Sequence, residues 1–166
     1  MMAANEDVPP IPADHDPAAD TVTRTADERD AVDIGTTAAR STVVRDGDIG
    51  SFAGVTGDGN PLHISERYAA AARFGERVAP GMLIQGIVGA TIASLPGCPI
   101  LLSTDAEFRA PVTPDTLVTA VVEVAEALDD DQYRLLTRVD AAGETALTGE
   151  AVVLLDAHPM GGEGDG

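Results

Sequence analysis

FAGVTGDGNPLHISERYAAAARFGERVAPGMLIQGIVGATIASLPG, residues 52–97, contains the most apolar segment of the chain. Within it, Gly81–Leu95 reads GMLIQGIVGATIASL and is hydrophobic on nearly every face of a helix. A helix of this kind has to be enclosed by other elements. At ~1.5 Å per residue it extends roughly 22 Å. The sequence therefore predicts one long buried helix at the centre of the fold.

Strand-like segments that are rich in Val, Leu and Thr follow this helix. They are residues 100–108, 116–127, 132–140 and 145–155. Short turns at Asp129–Asp131 and Ala142–Glu144 join the last three, which predicts an antiparallel meander. The β-branched run Ala38–Arg45 predicts an earlier strand. A curved antiparallel sheet wrapped around one long buried helix is an α+β architecture, and the hot-dog fold is the natural candidate.

Two shorter helices are predicted before the long one. Apolar residues at helical spacing predict the first at Asp48–Thr56. Ser65 is a suitable N-cap for the second, over residues 66–74, and Gly75 is suited to end it. Residues 57–61, Gly-Asp-Gly-Asn-Pro, predict a tight loop between the two helices, because two glycines and a proline exclude the interior of a helix or strand.

The composition predicts the limits of a single domain. Residues 1–33 carry nine of the 28 carboxylates and few large apolar side chains. Such a segment buries too little surface to offset its ordering entropy, so residues 1–35 are predicted to be a disordered acidic arm. Residues 36–157 then form the hot-dog domain, and residues 158–166 form a frayed, Gly-rich tail.

The net charge of −18 comes from 28 acidic and ten basic residues, and all ten are arginine. Charge repulsion of this size is relieved by salt, which predicts a halophilic protein in a high-salt cytoplasm. Nothing resembles the basic stripe of a nucleic-acid binder. The apolar window Val78–Leu95 contains Pro80 and is marginal for a membrane span, so no membrane association is expected. Cys98 is the single cysteine, and no signal peptide is visible.

Asp58 and His63 are the candidate chemical groups of the predicted loop. An acid and an imidazole on one rigid loop can hold a water molecule and act as general acid and base near neutral pH. The alternative is that Asp58 caps a turn and that His63 is an ordinary hydrogen-bonded side chain.

Pro80 and Gly81 begin the long helix, where N–H groups are unpaired and the helix dipole is positive. A glycine leaves its own N–H open to a developing negative oxygen. The alternative role of Gly81 is close packing. His15, His63 and His158 are scattered, so no metal site is expected. Neither a phosphate loop nor a serine elbow of the form G-x-S-x-G is present.

Residues 52–63, FAGVTGDGNPLH, resemble the hydratase signature of the MaoC-like dehydratases, the R-specific enoyl-CoA hydratases. The similarity continues at Tyr68-Ala69 and Phe74-Gly75, at VAPGML, residues 78–83, and at FRAPV, residues 108–112, and covers roughly residues 38–155. It implies an enzyme that converts trans-2-enoyl-CoA thioesters to R-3-hydroxyacyl-CoA. No cofactor is implied, because coenzyme A is part of the substrate. Homodimers or higher homo-oligomers, with the active site at the subunit interface, are implied as well.

The resemblance also implies roles for individual residues. Asp58 and His63 would activate the water that adds to C3 and would deliver a proton to C2. Asn60 would fix the loop, and the Gly81 N–H would bind the thioester oxygen. Which member of the Asp58–His63 pair is formally the base stays open.

Other positions in the matching region are expected to bind substrate. Pro80 stands where many relatives have His, and Gly89 aligns where some have Ser, near the acyl pocket. Both departures leave the acyl-chain preference open. Met82 is expected to bind substrate as well. Arg109, together with Arg73 or Arg77, could offset the repulsion between coenzyme A phosphates and an acidic surface. The alternative for each arginine is an ordinary surface salt bridge.

Two other functions are compatible with a hot-dog fold. One is an acyl-CoA thioesterase, and the other is a non-catalytic subunit that binds acyl thioesters. The Asp58–His63 loop argues against both. If the chain is a hydratase, it is expected to supply hydroxyacyl units to polyhydroxyalkanoate synthesis or to act in fatty-acid turnover.

Overall fold

The computed structural model describes residues 8–17 and 20–159. It contains strands, helices and one short 3-10 turn. The strands are β1 (Val22–Arg24), β2 (Thr37–Val44), β3 (Cys98–Phe108), β4 (Thr116–Ala127), β5 (Gln132–Ala141) and β6 (Glu144–Asp156). The helices are α1 (Asp46–Thr56), α2 (Pro61–Ile64), α3 (Glu66–Ala71) and α4 (Gly81–Ala93), and the 3-10 turn is Arg29–Ala31.

The strands form one antiparallel sheet in the order β1-β2-β4-β5-β6-β3. The predicted meander β4-β5-β6 is confirmed, and each of its two tight turns contains residues of positive φ. Asp130 and Asp131 have φ of 57° and 58°, and Ala142 and Gly143 have φ of 50° and 80°. With α4 packed on one face of this sheet, the predicted α+β hot-dog fold is confirmed.

Helix α4 packs against β2, β3, β4 and β5 and supplies the centre of the core. Ile84, Val88 and Ile92 are buried against sheet residues such as Val122 and Leu135. The prediction that this helix is enclosed on every face is wrong for the single chain, because the sheet covers one side only. An exposed stripe remains on its other side. It consists of Met82, Gly86, Ala90 and Ala93.

Residues 20–35, predicted as part of a disordered arm, are ordered. Strand β1 pairs with β2, and Ala26 and Val32 belong to the hydrophobic core. Arg29 Nε donates to the Leu155 carbonyl at 3.0 Å, and its guanidinium lies 2.6 Å from Asp131. The prediction counted apolar side chains, whereas backbone pairing and this arginine hold the segment in place.

Residues 8–17 cover the face of the sheet opposite α4. Side chains alternate along a strand, so β2 turns Ala38 to the core and Ser41 to this outer face. His15 is only 7% exposed. Its Nδ1 lies 2.9 Å from Thr23 Oγ1 and its Nε2 lies 2.8 Å from Ser41 Oγ, which in turn lies 2.7 Å from Thr119 Oγ1. We name residues 8–17 the N-terminal cover.

The predicted disordered arm is therefore wrong for residues 8–17 and 20–35. Residues 1–7 and 18–19, which that prediction includes, lie outside the described part, as do residues 160–166 of the predicted tail. No helix in residues 8–17 or 20–159 is long and apolar enough to cross a membrane.

Helix ends differ from the predictions where local backbone geometry intervenes. Helix α1 begins two residues early, at Asp46. Helix α3 ends at Ala71 rather than at residue 74, because Ala72 is extended and redirects the chain. Helix α2 was not predicted; it is a single turn that begins at Pro61, where a missing N–H costs nothing.

Candidate active site

The predicted loop between α1 and α2 holds Asp58 in a defined position. Gly57 ends α1 in the left-handed region, with φ of 78°, and its N–H donates to the Ala53 carbonyl. Asp58 N–H then donates to Thr56 Oγ1 at 3.1 Å, and Asp58 Oδ1 accepts from Asn60 N–H at 3.2 Å. The other carboxylate oxygen, Oδ2, is left to face His63.

Asn60 positions the helical turn that carries His63. Its Oδ1 accepts from Leu62 N–H at 3.0 Å, and its carbonyl accepts from His63 N–H at 3.0 Å. Arg77 also holds this turn. Its Nε donates to the His63 carbonyl at 2.8 Å, and its guanidinium pairs with Asp46 at the start of α1. Asp58 and His63 are therefore held by one hydrogen-bonded unit.

The imidazole of His63 has a defined tautomer in its neutral form. Nδ1 lies 2.8 Å from the Val78 carbonyl, which can only accept, so Nδ1 carries the proton. Nε2 then has a free lone pair, and it lies 3.8 Å from Asp58 Oδ2. That distance is too long for a direct hydrogen bond but suits one bridging water molecule. The side chains of His63 and Asp58 are 12% and 36% exposed, so such a water would be partly shielded.

The start of α4 lies beside this pair because residues 78–79 cross to it. Ala79 N–H donates to the Val112 carbonyl at 2.7 Å. The Pro80 carbonyl accepts from Leu83 and Ile84, and within the described part of the chain no acceptor engages the Gly81 N–H. An unpaired N–H at the positive end of a helix can bind a negative oxygen.

Gly81 also has a packing role. A Cβ at this position would lie 2.8 Å from Phe108 Cε1, so the ring of Phe108 occupies the space that a side chain would need. Both roles considered for Gly81 therefore have a structural basis.

A cavity of about 590 Å³ opens next to His63 and the start of α4. It is mainly apolar and is lined from α2, the turn after α3, α4 and the end of β3. The lining residues are His63, Arg73, Phe74, Val78, Ala79, Gly81, Met82, Ile84, Phe108, Arg109, Ala110, Pro111, Val112 and Ala146. A pocket of this size with a few polar groups suits a small organic ligand.

The structure brings His63, Gly81, Met82 and Arg109 to this cavity, together with Arg73, which was considered beside Arg109. Asp58 reaches it only through His63. Asn60 lies behind the pair as a helix cap, and Pro80 borders the cavity without lining it.

Gly89 lies off this cavity, about 12 Å further along α4 at ~1.5 Å per residue. A Cβ at position 89 would meet no atom within 4 Å, so this position has room for the Ser side chain that some relatives are expected to carry.

The guanidinium of Arg109 is engaged by the protein. Nε donates to Thr148 Oγ1 at 2.7 Å, and Nη2 pairs with Glu107 at 3.0 Å. This is the surface salt bridge considered as the alternative for this arginine. In the sequence, Arg109 and Arg73 could not be told apart, because partners distant along the chain such as Thr148 are not visible there.

Phe74 and Phe108 are lining residues that were not predicted as site residues, although both stand in the matching motifs. Within residues 8–17 and 20–159, no group of three His, Cys, Asp or Glu side chains is placed to hold a metal ion.

Known proteins of similar sequence and structure give this geometry a context. The family model of the MaoC-like domain matches residues 20–144. The chain is 36% identical over 125 residues to a 3-hydroxybutyryl-CoA dehydratase of Methylorubrum extorquens, covering 74% of this chain and 80% of the relative. It is 34% identical over 127 residues to an (R)-specific enoyl-CoA hydratase of Rhodospirillum rubrum, covering 75% and 88%.

Among solved structures, the chain is similar to an unliganded R-hydratase from Pseudomonas aeruginosa. The TM-score is 0.73 and the identity 31%, over 83% of this chain and 90% of that one. The family match spans most of the chain, includes the loop of Asp58 and His63, and agrees with the fold. The chain belongs to the MaoC-like domain family.

Proposed function

We propose that the protein is an R-specific enoyl-CoA hydratase, which adds water across the double bond of a trans-2-enoyl-CoA to form the R-3-hydroxyacyl-CoA. The observation that carries the proposal is the Asp58–His63 pair, with a free Nε2 lone pair 3.8 Å from a carboxylate oxygen beside an apolar cavity. Family membership and the activities of the similar proteins support the same reaction.

In the proposed reaction, one water molecule is bound between Asp58 Oδ2 and His63 Nε2. Its oxygen forms a bond to C3 of the enoyl group while the pair removes one of its protons. The electron pair of the double bond moves toward the thioester, and C2 takes a proton from the same pair. The elements of one water molecule are added, and Asp58 and His63 end with the protonation they began with.

The second part of the proposal concerns the negative charge on the thioester oxygen. As C3 is attacked, charge develops on this oxygen and is bound by the Gly81 N–H at the start of α4. Among the described residues no acceptor engages that N–H, and this together with its position on the cavity supports the role. Desolvation by Phe108 and Met82, which also line the cavity, would strengthen the interaction.

We also propose that the active form is a homodimer built on β3 and the exposed stripe of α4. Strand β3 is an edge of the sheet, and its apolar side chains Ile100, Leu101 and Leu102 are exposed. Exposed edge strands with apolar side chains are prone to pair with another chain. Met82, which is 64% exposed, belongs to the stripe and to the cavity, so a second copy at this surface would help to enclose the substrate.

The charge supports a further proposal, that the protein works in a high-salt cytoplasm. Twenty-eight carboxylates and ten arginines leave a net charge of −18, which salt would screen.

The proposed reaction is tested by following the loss of enoyl absorbance of crotonyl-CoA, with chiral analysis of the product. Asp58→Asn and His63→Ala are expected to lower kcat by at least about 10²–10⁴-fold, the range for general acid–base groups. Asp129→Asn, an exposed turn position, is the matched control. Near-normal activity in either site variant would reject the mechanism. Release of free thiol in place of hydration would instead indicate an acyl-CoA thioesterase.

A further inference from the structure

The cavity beside His63 differs in charge from the rest of the molecule. In residues 8–17 and 20–159, the lining includes Arg73, Arg109 and His63 but no carboxylate. This is unexpected in a chain with 28 acidic and ten basic residues. In the part of the chain that the structure describes, three other surface cavities each include at least one carboxylate, such as Asp48 or Glu66.

The arginines near this cavity differ in what they already bind. Arg109 is engaged by Thr148 and Glu107, and Arg77 is engaged by Asp46 and the His63 carbonyl. Arg73, in contrast, makes no hydrogen bond or ion pair with any residue in 8–17 or 20–159. It is exposed, and it lies in the turn after α3, next to Phe74, which also lines the cavity.

An unengaged guanidinium is suited to one kind of ligand. It offers a planar set of five N–H donors and no acceptor, which matches the oxygens of a phosphate. On a surface of net charge −18, a polyanionic substrate is repelled unless a local positive group attracts it. The proposed substrate has its phosphates on the coenzyme A portion, distant from the reacting double bond, and this portion has to leave the cavity at its mouth.

We infer that Arg73 binds a phosphate of coenzyme A at the mouth of the cavity. The inference rests on the proposed function and names the residue through which an acidic protein holds an acidic substrate. Arg73 rather than Arg109 is then the main phosphate contact, because the Arg109 guanidinium already has protein partners. Arg73 is remote from the chemistry in this assignment, so it affects substrate binding rather than the rate of the bound complex.

The experiment compares two thioesters, crotonyl-CoA and crotonyl-pantetheine, of which only the first carries phosphate. At the lowest salt concentration at which the protein stays folded, Arg73→Gln is expected to raise KM for crotonyl-CoA about tenfold, the low end for a hydrogen bond to a charged group. Its kcat should stay within about twofold, and its kinetics with crotonyl-pantetheine should match those of the wild type. Arg67→Gln is the matched control, because Arg67 is exposed on α3 but does not line the cavity.

Crotonyl-3′-dephospho-CoA locates the contact. If Arg73→Gln does not raise KM for this substrate, Arg73 binds the 3′-phosphate. If it raises KM as it does for crotonyl-CoA, Arg73 binds the diphosphate. An unchanged KM for crotonyl-CoA, or an equal penalty with crotonyl-pantetheine, overturns the inference.

Calorimetric titration of coenzyme A and of pantetheine separates this inference from the proposed reaction. A tenfold weaker affinity of Arg73→Gln for coenzyme A alone supports the phosphate contact even if the wild type does not hydrate crotonyl-CoA. If the wild type hydrates both thioesters and Arg73→Gln binds coenzyme A as tightly as the wild type does, the proposed function stands and the role of Arg73 is rejected.

Discussion

The substitution Gly81→Ala separates the two roles of the first residue of α4. A methyl group at this position would lie 2.8 Å from Phe108 Cε1 and 3.0 Å from Cζ. The N–H that we propose to bind the thioester oxygen would remain, but the methyl group and the displaced ring would stand beside it. The variant therefore perturbs packing and the approach of substrate at the same time.

Its effect on stability follows from the overlap. Carbon atoms in contact are about 3.5 Å apart, so the Phe108 ring has to move by about 0.7 Å. Overpacking costs about 1–3 kcal/mol, and the low end applies because Phe108 is 51% exposed and can swing outward. A loss of about 1 kcal/mol lowers Tm by roughly 2–4 °C for a chain of this size.

Its effect on activity has a different origin. Complete loss of an oxyanion donor costs about 10²–10³-fold in kcat. Because the donor is shielded rather than removed, we expect kcat for crotonyl-CoA hydration to fall by up to about 10²-fold. The double variant Gly81→Ala/Phe108→Leu removes the clash, so it should recover Tm without recovering kcat.

The assays are thermal unfolding and steady-state hydration, measured on the same preparations, with Phe108→Leu alone as the control. If the double variant regains both Tm and kcat, the glycine serves packing only. The oxyanion role of the Gly81 N–H is then refuted.

Three more predictions concern the cover, the surface charge and the subunit interface. His15→Ala removes both hydrogen bonds of a buried imidazole and should lower the free energy of unfolding in urea by about 1–3 kcal/mol with kcat unchanged; unaltered stability would contradict the role given to this contact. Raising KCl from dilute buffer to molar concentration should raise Tm, since salt screens the net charge of −18, and full stability without salt would refute the halophilic reading. Leu101→Asp on β3 should yield monomers in sedimentation velocity and reduce activity, whereas Leu128→Asp, also an exposed apolar site, should do neither; a dimeric Leu101→Asp protein would exclude β3 as the interface.

Sequence patterns predicted the elements that depend on local order. Strand β4 has the predicted bounds, Thr116–Ala127, because Val and Thr recur along it and turns limit it on both sides. Helix α4 begins at the predicted Gly81, where a proline precedes it. The loop of Asp58 and His63 was predictable for the same reason, since both residues belong to one short motif.

Features that depend on distant partners were not predictable. Residues 20–35 have few large apolar side chains, and the sequence does not show that Arg29 holds them through the carbonyl of Leu155 and the carboxylate of Asp131. The exposed stripe of α4 is equally hidden in the sequence, because an all-apolar helix does not reveal which side the sheet covers. The sequence does not distinguish Arg73 from Arg109, because the partners of Arg109, Thr148 and Glu107, are seen only in the structure.

The N-terminal cover has a practical consequence for anyone who shortens the chain. The family match begins at residue 20, so trimming to that boundary would leave the recognisable enzyme domain but remove residues 8–17. Ala39 and Val121, which have no exposed surface beneath the cover, would then meet water, and Ser41 and Thr119 would lose the imidazole above them. The shortened protein would expose part of the sheet face opposite α4, while the residues of the proposed active site stayed in place. Poor solubility of such a fragment would therefore give no information about its enzymatic activity.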